Sequence, residues 1–176
     1  TSTKLAPAIL LRPAFGPQPW NSFATLNLSD DYSTLSIISG GRMVQQRTIN
    51  FGRSLFLSKV TERLALQDMG RDVNTDSGRA RRLHAANALL ANDHPTDEER
   101  QLLADSLDDS THRMVSYITR TVYYHQRVEK GLPLEGLMVV ASHGIEQALH
   151  AEIERSLGIT SRPYLCPTAR SADAEA

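Results

Sequence analysis

The sequence has little cysteine, little net charge and no long apolar run. Cys166 is the one cysteine among 176 residues, so the chain cannot form an internal disulfide, and the cytoplasm is the predicted compartment. A formal net charge of −1 argues against nucleic acid or an anionic membrane surface as a partner. No apolar run approaches the ~20 residues of a membrane helix, and the LAPAILL segment lacks the long apolar core and cleavage site of a signal peptide. We therefore expect no membrane insertion.

Motifs for metal or nucleophilic chemistry are also missing. The histidines show neither HxxxH nor HExxH spacing, and Cys166 has no cysteine partner, so no metal site is predicted. The sequence contains no GxSxG elbow for a nucleophilic serine. His143, which lies at an expected strand-to-helix turn, is the best histidine for contact with a ligand, although capping of the following helix explains it as well.

The first third of the chain predicts an antiparallel meander. Residues 1–22 carry four prolines, which favours an extended lead-in with a short edge strand at residues 8–12. Alternating apolar residues then predict three strands, at residues 23–29, 33–39 and 42–50. Two acidic residues and then a Gly-Gly pair supply the turns between these strands.

The period of the apolar residues then becomes helical. We expect helices at 55–70, 83–91, 96–107, 111–130 and 145–157, with Thr96 and Glu99 forming a capping box and Asp108 to Ser110 separating the third helix from the fourth. Val115, Ile118 and Val122 form the buried stripe of the long helix, and Met114, Tyr117, Tyr124 and Val128 are expected to widen it.

An apolar run at residues 136–142 is typical of a strand buried on both faces of a parallel sheet. A short edge strand is expected from Ile159 to Cys166, and residues 166–176 have the composition of a flexible tail. The order of elements predicts an α/β protein with a mixed sheet, an antiparallel strand meander and flanking helices.

This order resembles one lobe of the actin-like ATPases, which have a ribonuclease H-like fold. Within that superfamily it is similar to the PilM-type pilus assembly proteins and to the cytoplasmic domain of the type II secretion L protein. The resemblance rests on the segments 27–34, 47–53, 136–144 and 157–159, and it covers residues 23–165. It implies an actin-like lobe at 23–165 with a helical insert at about 70–110, between the lead-in 1–22 and the tail 166–176.

The resemblance also implies where a nucleotide site would lie. In the family, the first strand ends in an Asp-x-Gly-x-x-x-Thr turn that wraps a phosphate, and a late Gly-Gly turn packs under the adenosine. Carried onto this sequence, the degenerate nucleotide-binding residues are Asn27, Ser29, Ser33, Thr34, Gly52, His143 and Gly144.

Several of these residues depart from the family pattern. Asn27 replaces the aspartate and has no charge with which to hold a metal-bound water. Ser29 replaces the glycine that lets the backbone approach phosphate. Asp30 and Asp31 add negative charge where a triphosphate would lie, although they also suit a solvated turn. We therefore predict no catalytic residues, no enzyme activity and no cofactor.

By resemblance, the function is that of a non-catalytic scaffold in a type IV pilus or type II secretion-like assembly, at the cytoplasmic face of the inner membrane. Its partners would be other assembly proteins, docked on an edge strand (the 1–22 lead-in or Ile159 to Cys166) or on the insert helices. One alternative is a member of the superfamily that binds ATP and Mg²⁺ with a second lobe absent from this chain. Another is a relative of the carbohydrate kinases.

Two surface features have open interpretations. The arginines Arg71, Arg79, Arg81 and Arg82 are expected in a solvated loop, where they could also meet phosphate or an acidic partner. Tyr117, Tyr123 and Tyr124 are expected in or near the core, and any that are exposed would suit an interface.

Overall fold

The base of the fold is a five-stranded mixed sheet. A computed structural model describes residues 20–67, 75–141 and 143–163. The strands are β1 (Ser22–Leu28), β2 (Ser33–Ser39), β3 (Arg42–Ile49), β4 (Gly136–Val140) and β5 (Thr160–Pro163). The helices are α1 (Arg53–Gln67), α2 (Asp76–Ala91), α3 (Asp97–Tyr123) and α4 (His143–Leu157), and one π-helical turn (Tyr124–Val128) follows α3.

The strand order is β3-β2-β1-β4-β5, which confirms the predicted α/β class and the mixed sheet. The pairs β1–β2 and β2–β3 are antiparallel, whereas β4 is parallel to both β1 and β5. Gly40 and Gly41 have φ angles of 57° and 74°, so the Gly-Gly pair forms the hairpin turn that needs two left-handed residues.

β4 is buried as its apolar sequence predicts. Leu137 and Val139 are 0% exposed on one face, and Met138 is 4% exposed on the other. A strand enclosed on both faces is expected where crossover connections bring parallel neighbours to each side. In the parallel register Asn27 lies beside Val140, so the carboxyl ends of β1 and β4 meet at one edge of the sheet.

The helices share one core with one face of the sheet. Residues such as Leu26 and Ile37 from the strands are buried in the same apolar cluster as Phe56 of α1, Ile118 of α3 and Leu149 of α4. The opposite face has a smaller cluster of Phe23, Ile38 and Met138, against which the half-buried Trp20 packs. Apolar burial on the helical side is therefore the main stabilising term.

α2 begins earlier than the sequence predicted. Thr75 is its N-cap, and its side chain accepts a hydrogen bond from the Gly78 amide. This cap offsets the low helix propensity of Gly78. Arg79 and Arg81 consequently lie on a helix and not in a loop, and Arg82 is buried. Arg71 lies outside the described residues.

α3 is one helix of 27 residues, so the break predicted at Asp108 to Ser110 was wrong. The capping box of Thr96 and Glu99 is confirmed at its start. Asp108 and Asp109 stay exposed, whereas Leu107 and Met114 keep the buried stripe continuous past them. The helical spacing of the apolar residues therefore outweighs the local turn preference of the two aspartates. The treatment of 70–110 as an insert stays a prediction.

The buried stripe of α3 is narrower than expected. Val115, Ile118 and Val122 are buried as predicted, together with Met114. The tyrosines are not in the core: Tyr117 is 48% exposed, Tyr123 62% and Tyr124 40%. Val128, in the π-helical turn, is exposed too. Of the two interpretations of these tyrosines, a position in the core is thus wrong, and a role in an interface remains.

β5 (Thr160–Pro163) confirms an edge strand near the end of the described chain. The expected strand at 8–12, the rest of the lead-in to residue 19 and the tail from residue 164 lie outside the described residues. Among the residues that the structure describes, no helix is long and apolar enough to cross a membrane.

Replacing Ile118 with alanine is predicted to destabilise the protein by about 2–5 kcal/mol, because the side chain is fully buried and its removal leaves a cavity. Tyr123→Ala, on the exposed side of the same helix, should change the free energy of unfolding by less than about 0.5 kcal/mol. Urea unfolding of both variants measures the difference. Equal losses would show that the burial pattern of α3 is wrong.

Candidate functional site

The candidate site lies where β1 and β4 end and α1 and α4 begin. Ligands of open α/β sheets commonly bind outside the carboxyl ends of the parallel strands. Here a cleft of about 180 Å³ is lined by Leu28, Arg53, Val140, Ala141 and Ile145. That is smaller than the roughly 300–1,000 Å³ of typical small-molecule sites. The cleft has room for only part of a nucleotide.

The turn between β1 and β2 is hydrogen-bonded to the start of α1. Within the turn, the Ser29 amide donates to the Tyr32 carbonyl at 2.9 Å. The Arg53 amide then donates to the Ser29 carbonyl at 2.9 Å, and the Ser54 amide donates to the Asp30 carbonyl at 2.8 Å. The first amides of a helix are the groups that usually bind an anion. Two of them are here occupied by the chain's own backbone.

Gly52 allows this close approach. A Cβ atom at residue 52 would lie 2.5 Å from the Asp30 carbonyl oxygen, 2.5 Å from the Tyr32 nitrogen and 2.6 Å from the Ser29 carbonyl oxygen. These are rigid backbone atoms, so no side-chain movement would relieve the overlap. Gly52 is therefore required by packing of the turn against α1.

The two aspartates of the turn lie at the N-terminus of α1. Asp30 Oδ1 is 3.7 Å from Arg53 Nη1, and the Asp31 carboxylate accepts from Ser54 Oγ at 3.5 Å. Both aspartates are exposed. Negative charge at this end of a helix is favourable because it complements the helix dipole. This geometry fits the solvated turn that their sequence suggested.

The predicted nucleotide-binding residues divide between two sides of the sheet. The Ser33 hydroxyl is buried and donates to the Phe51 carbonyl at 2.5 Å, on the side of α1. Asn27 and Thr34 are paired across β1 and β2 and project from the opposite face, because successive side chains of a strand alternate. Asn27 is exposed there.

The two residues from the late turn contribute differently. Gly144 is buried in the first turn of α4, and a Cβ there would lie 3.4 Å from Leu90 backbone atoms and from Leu103 Cδ1. It therefore faces α2 and α3. His143 is the first residue of α4, and its side chain is outside the described part of the chain. Of the predicted residues, the structure thus brings Ser29 and Gly52 into contact. The nucleotide-binding role of all seven residues stays a prediction.

Arg53 is a residue of the site for which no role was predicted from the sequence. Its guanidinium lines the cleft, donates to Asn87 Oδ1 of α2 at 2.5 Å and lies near Asp30. The sequence signal that could have identified Arg53 is a cationic residue directly after Gly52, at the start of a helix. The contacts to α2 and to the β1–β2 turn arise only in the folded chain.

Two titratable side chains of α4 have shifted pKa values. Burial lowers the pKa of His150 below its ordinary 6.5, although the charge of Glu154 opposes this, and its Nδ1 lies 2.6 Å from the Ser161 hydroxyl of β5. Burial raises the pKa of Glu152. Hydrogen bonds from Ser156 and Arg155, together with the nearby His112, lower this pKa by a larger amount, so the net shift is downward. These groups join α4 to its neighbours.

Metal-binding potential was assessed for residues 20–67, 75–141 and 143–163. This part of the chain contains no group of three or more histidine, cysteine, aspartate or glutamate residues placed to hold a metal ion.

Known proteins resemble this chain in structure but not in sequence. No protein-family model matches the sequence, and no curated protein matches it. A structure of the PilM–PilN type IV pilus biogenesis complex superposes with a TM-score of 0.54 at 16% identity, over 81% of this chain and 35% of the other.

Two further solved structures have a similar fold. The ethanolamine utilization protein EutJ from Carboxydothermus hydrogenoformans gives a TM-score of 0.57 at 10% identity, covering 84% of this chain and 46% of EutJ. The archaeal actin homolog Ta0583 gives 0.57 at 14% identity, covering 89% and 46%. The fold is therefore that of actin-like ATPases, as the sequence predicted, and the chain spans less than half the length of these proteins.

Gly52→Ala is predicted to destabilise the protein by about 1–3 kcal/mol, because the added methyl group overlaps backbone atoms. Gly144→Ala is the matched control: its methyl group meets ordinary contact distances, and alanine favours a helix by about 1 kcal/mol over glycine. Thermal and urea unfolding compare the two. A Gly52→Ala protein as stable as the parent would contradict the proposed packing.

Acidification is predicted to destabilise the protein through His150. Its folded-state pKa is lowered, so the unfolded chain binds the proton first, and this contribution to stability is lost as the pH falls through 6.5 towards the folded-state pKa. His150→Gln should lose less stability than the parent between about pH 7.5 and about pH 5.5 in urea titrations. An identical pH dependence would exclude His150 as the cause.

Proposed function

Because the chain has the actin-like fold, we propose that it is a non-catalytic scaffold of a type IV pilus or type II secretion-like assembly, located at the cytoplasmic face of the inner membrane. The structural likeness to PilM in its complex with PilN supports this assignment. The observation that carries the non-catalytic part is the backbone hydrogen bonding of the β1–β2 turn to the N-terminus of α1.

This hydrogen bonding removes donors that a phosphate would need. The amides of Arg53 and Ser54 already donate to carbonyl oxygens of the turn. A phosphate would have to displace these bonds, and each buried polar group left without a partner costs about 1–3 kcal/mol. The N-terminus of α1 is therefore a poor anion site in this conformation.

Charge at the turn acts in the same direction. Asp30 and Asp31 are exposed beside the start of α1. A carboxylate and a phosphate about 4 Å apart repel each other by about 4 kcal/mol at the effective dielectric constant of a protein surface. The Arg53 guanidinium, 3.7 Å from Asp30, offsets part of this repulsion. Asn27 supplies no compensating charge for a magnesium ion.

The scaffold would work through protein contacts. In the proposed division, residues 23–165 form the lobe, with the helical insert at about 70–110. The lead-in 1–22 and the tail 166–176 flank this lobe. β5 lies at one edge of the described sheet, where its backbone can pair with a strand of another assembly protein. The helices α2 and the first half of α3 would offer a second contact face.

The second candidate function is ATP binding together with another lobe. The small cleft at the carboxyl ends of β1 and β4, lined by Arg53, favours this alternative. In addition, this chain covers only 46% of EutJ and of Ta0583. A nucleotide held between two lobes would need only part of its contacts from this one.

Calorimetric titration with Mg-ATP distinguishes the two functions. We expect no binding in the micromolar range, because the α1 amides are occupied and two aspartates repel the phosphates. The double variant Asn27→Asp/Ser29→Gly, which restores the family residues, is the comparison, and a gain of binding in it alone would support a degenerate site. Micromolar binding by the parent chain would overturn the non-catalytic assignment.

Co-purification tests the scaffold role separately. The tagged chain, expressed with the inner-membrane proteins of a pilus or type II secretion system, is expected to retain at least one of them. An Ile153→Asp variant, which disrupts the buried core, is the unfolded control. Failure of the folded chain to retain any of these proteins would contradict the proposal.

A further inference from the structure

A groove between β3 and α3 lies apart from the cleft at the carboxyl ends of β1 and β4. One wall is formed by residues 47–50, and the other by Tyr117, Arg120, Thr121 and Tyr124, around a cavity of about 540 Å³. Side chains of a strand alternate between its faces, so the consecutive lining residues at the end of β3 mean that the groove reaches the strand edge there. β3 is the terminal strand of the sheet among the described residues.

The helical wall is one continuous face of α3. Tyr117, Arg120, Thr121 and Tyr124 have the three- and four-residue spacing of neighbours on a helix surface. A second hollow, of about 320 Å³, shares Tyr117 and Arg120 and continues the groove to Arg113. The groove (residues 47–50 with the α3 face from Arg113 to Tyr124) is therefore elongated along both a helix and a strand edge.

The groove is strongly basic for a chain of net charge −1. Neither hollow has an acidic residue in its lining. Arg47, Arg113 and Arg120 have no carboxylate within ion-pair distance among the residues that the structure describes. The Arg47 guanidinium lies over the Tyr124 ring, 5.2 Å from its centroid, which is a cation–π contact and leaves its outer N–H groups available. These three arginines are exposed and therefore accessible to a negatively charged partner.

His112 marks the end of the basic groove. Its Nδ1 lies 3.0 Å from Glu152 Oε1 of α4, and its Nε2 lies 3.5 Å from Asp108 Oδ1. Both ring nitrogens therefore have partners within the chain, whereas Arg113, the next residue, has no carboxylate partner among the described residues. Among the groove residues that the structure describes, the arginines without a carboxylate partner are therefore Arg47, Arg113 and Arg120.

We propose that this groove binds an acidic, extended segment of a partner protein, which adds a strand along β3 and places its carboxylates on Arg47, Arg113 and Arg120. A strand edge offers main-chain donors and acceptors that a peptide can use. Arginine pairs with carboxylate through two parallel hydrogen bonds. Tyr117, which is 48% exposed and lines both hollows, supplies apolar contact area.

A peptide fits these features better than a nucleic acid does. Single-stranded nucleic acid binds by stacking its bases on open aromatic rings. The Tyr124 ring is already covered by Arg47. In addition, the main-chain N–H and C=O groups of a strand edge match the hydrogen-bonding pattern of a peptide backbone, and they do not match that of a sugar-phosphate chain.

The proposal deepens the scaffold function by naming the chemistry of a partner, but its test is independent of any pilus or secretion protein. A phage-displayed library of random dodecapeptides is selected on the immobilised chain, and the enriched peptides are synthesised. We expect sequences rich in aspartate and glutamate, with slowed hydrogen exchange at the β3 amides when they bind. Selection of no peptide, or of peptides without acidic residues, would overturn the proposal.

Charge reversal locates the binding surface. The double variant Arg113→Glu/Arg120→Glu is expected to weaken binding of the selected peptides ~10-fold or more. Lys59→Glu/Arg63→Glu, with the same charge change on the surface of α1, is the matched control and should bind as the parent does. Circular dichroism melts verify that both fold. Equal loss in both variants would show general electrostatic attraction and contradict the proposal.

Two other possible occupants of the groove, a nucleic acid and a second copy of the chain, would give different experimental results. Tighter binding of a labelled oligothymidylate than of the peptides, lost in Arg113→Glu/Arg120→Glu, would replace the acidic peptide with single-stranded nucleic acid. A concentration-dependent dimer in analytical ultracentrifugation that selected peptides do not displace would assign the edge of β3 to a second copy. Displacement of such a dimer by the peptides would support the proposal.

Discussion

The architecture depends on the backbone hydrogen bonds that join the β1–β2 turn to the start of α1. The amides of Arg53 and Ser54 donate to two carbonyls of the turn, and Gly52 permits the approach because it has no side chain. These bonds fix the angle at which the chain leaves the meander and lays α1 on the sheet. The same bonds occupy the helix N-terminus, so the contact that organises the lobe also weakens it as an anion site.

The helical layer follows from this starting point. Phe56 and Val60 of α1 are fully buried, and they share a core with α3, α4 and one face of the sheet. α3 crosses the lobe as one helix because its apolar stripe continues through Leu107 and Met114. Burial of that stripe outweighs the local preference of Asp108 and Asp109 for a turn. A long helix with one buried face necessarily leaves its other face to solvent.

That exposed face gives the lobe its second distinctive surface. Tyr117, Arg120 and Tyr124 face the edge of β3, and the arginines of this groove lack carboxylate partners among the described residues. The cleft beside Arg53 shares no lining residue with this groove, is smaller, and lies next to helix amides that are occupied. The two surfaces differ in how their cations are paired, since Arg53 of the cleft lies 3.7 Å from Asp30.

The sequence by itself determined the local elements and the fold class. The meander, the buried β4 and the capping box of Thr96 and Glu99 follow from alternation, apolar runs and side-chain capping, which act over a few residues. Only the tertiary structure decided that Gly52 is a packing glycine and that Arg47 meets Tyr124. Each of these depends on residues distant in sequence becoming neighbours. Such contacts leave no periodic signal along the chain, because they arise from the strand order and the crossing of helices over the sheet.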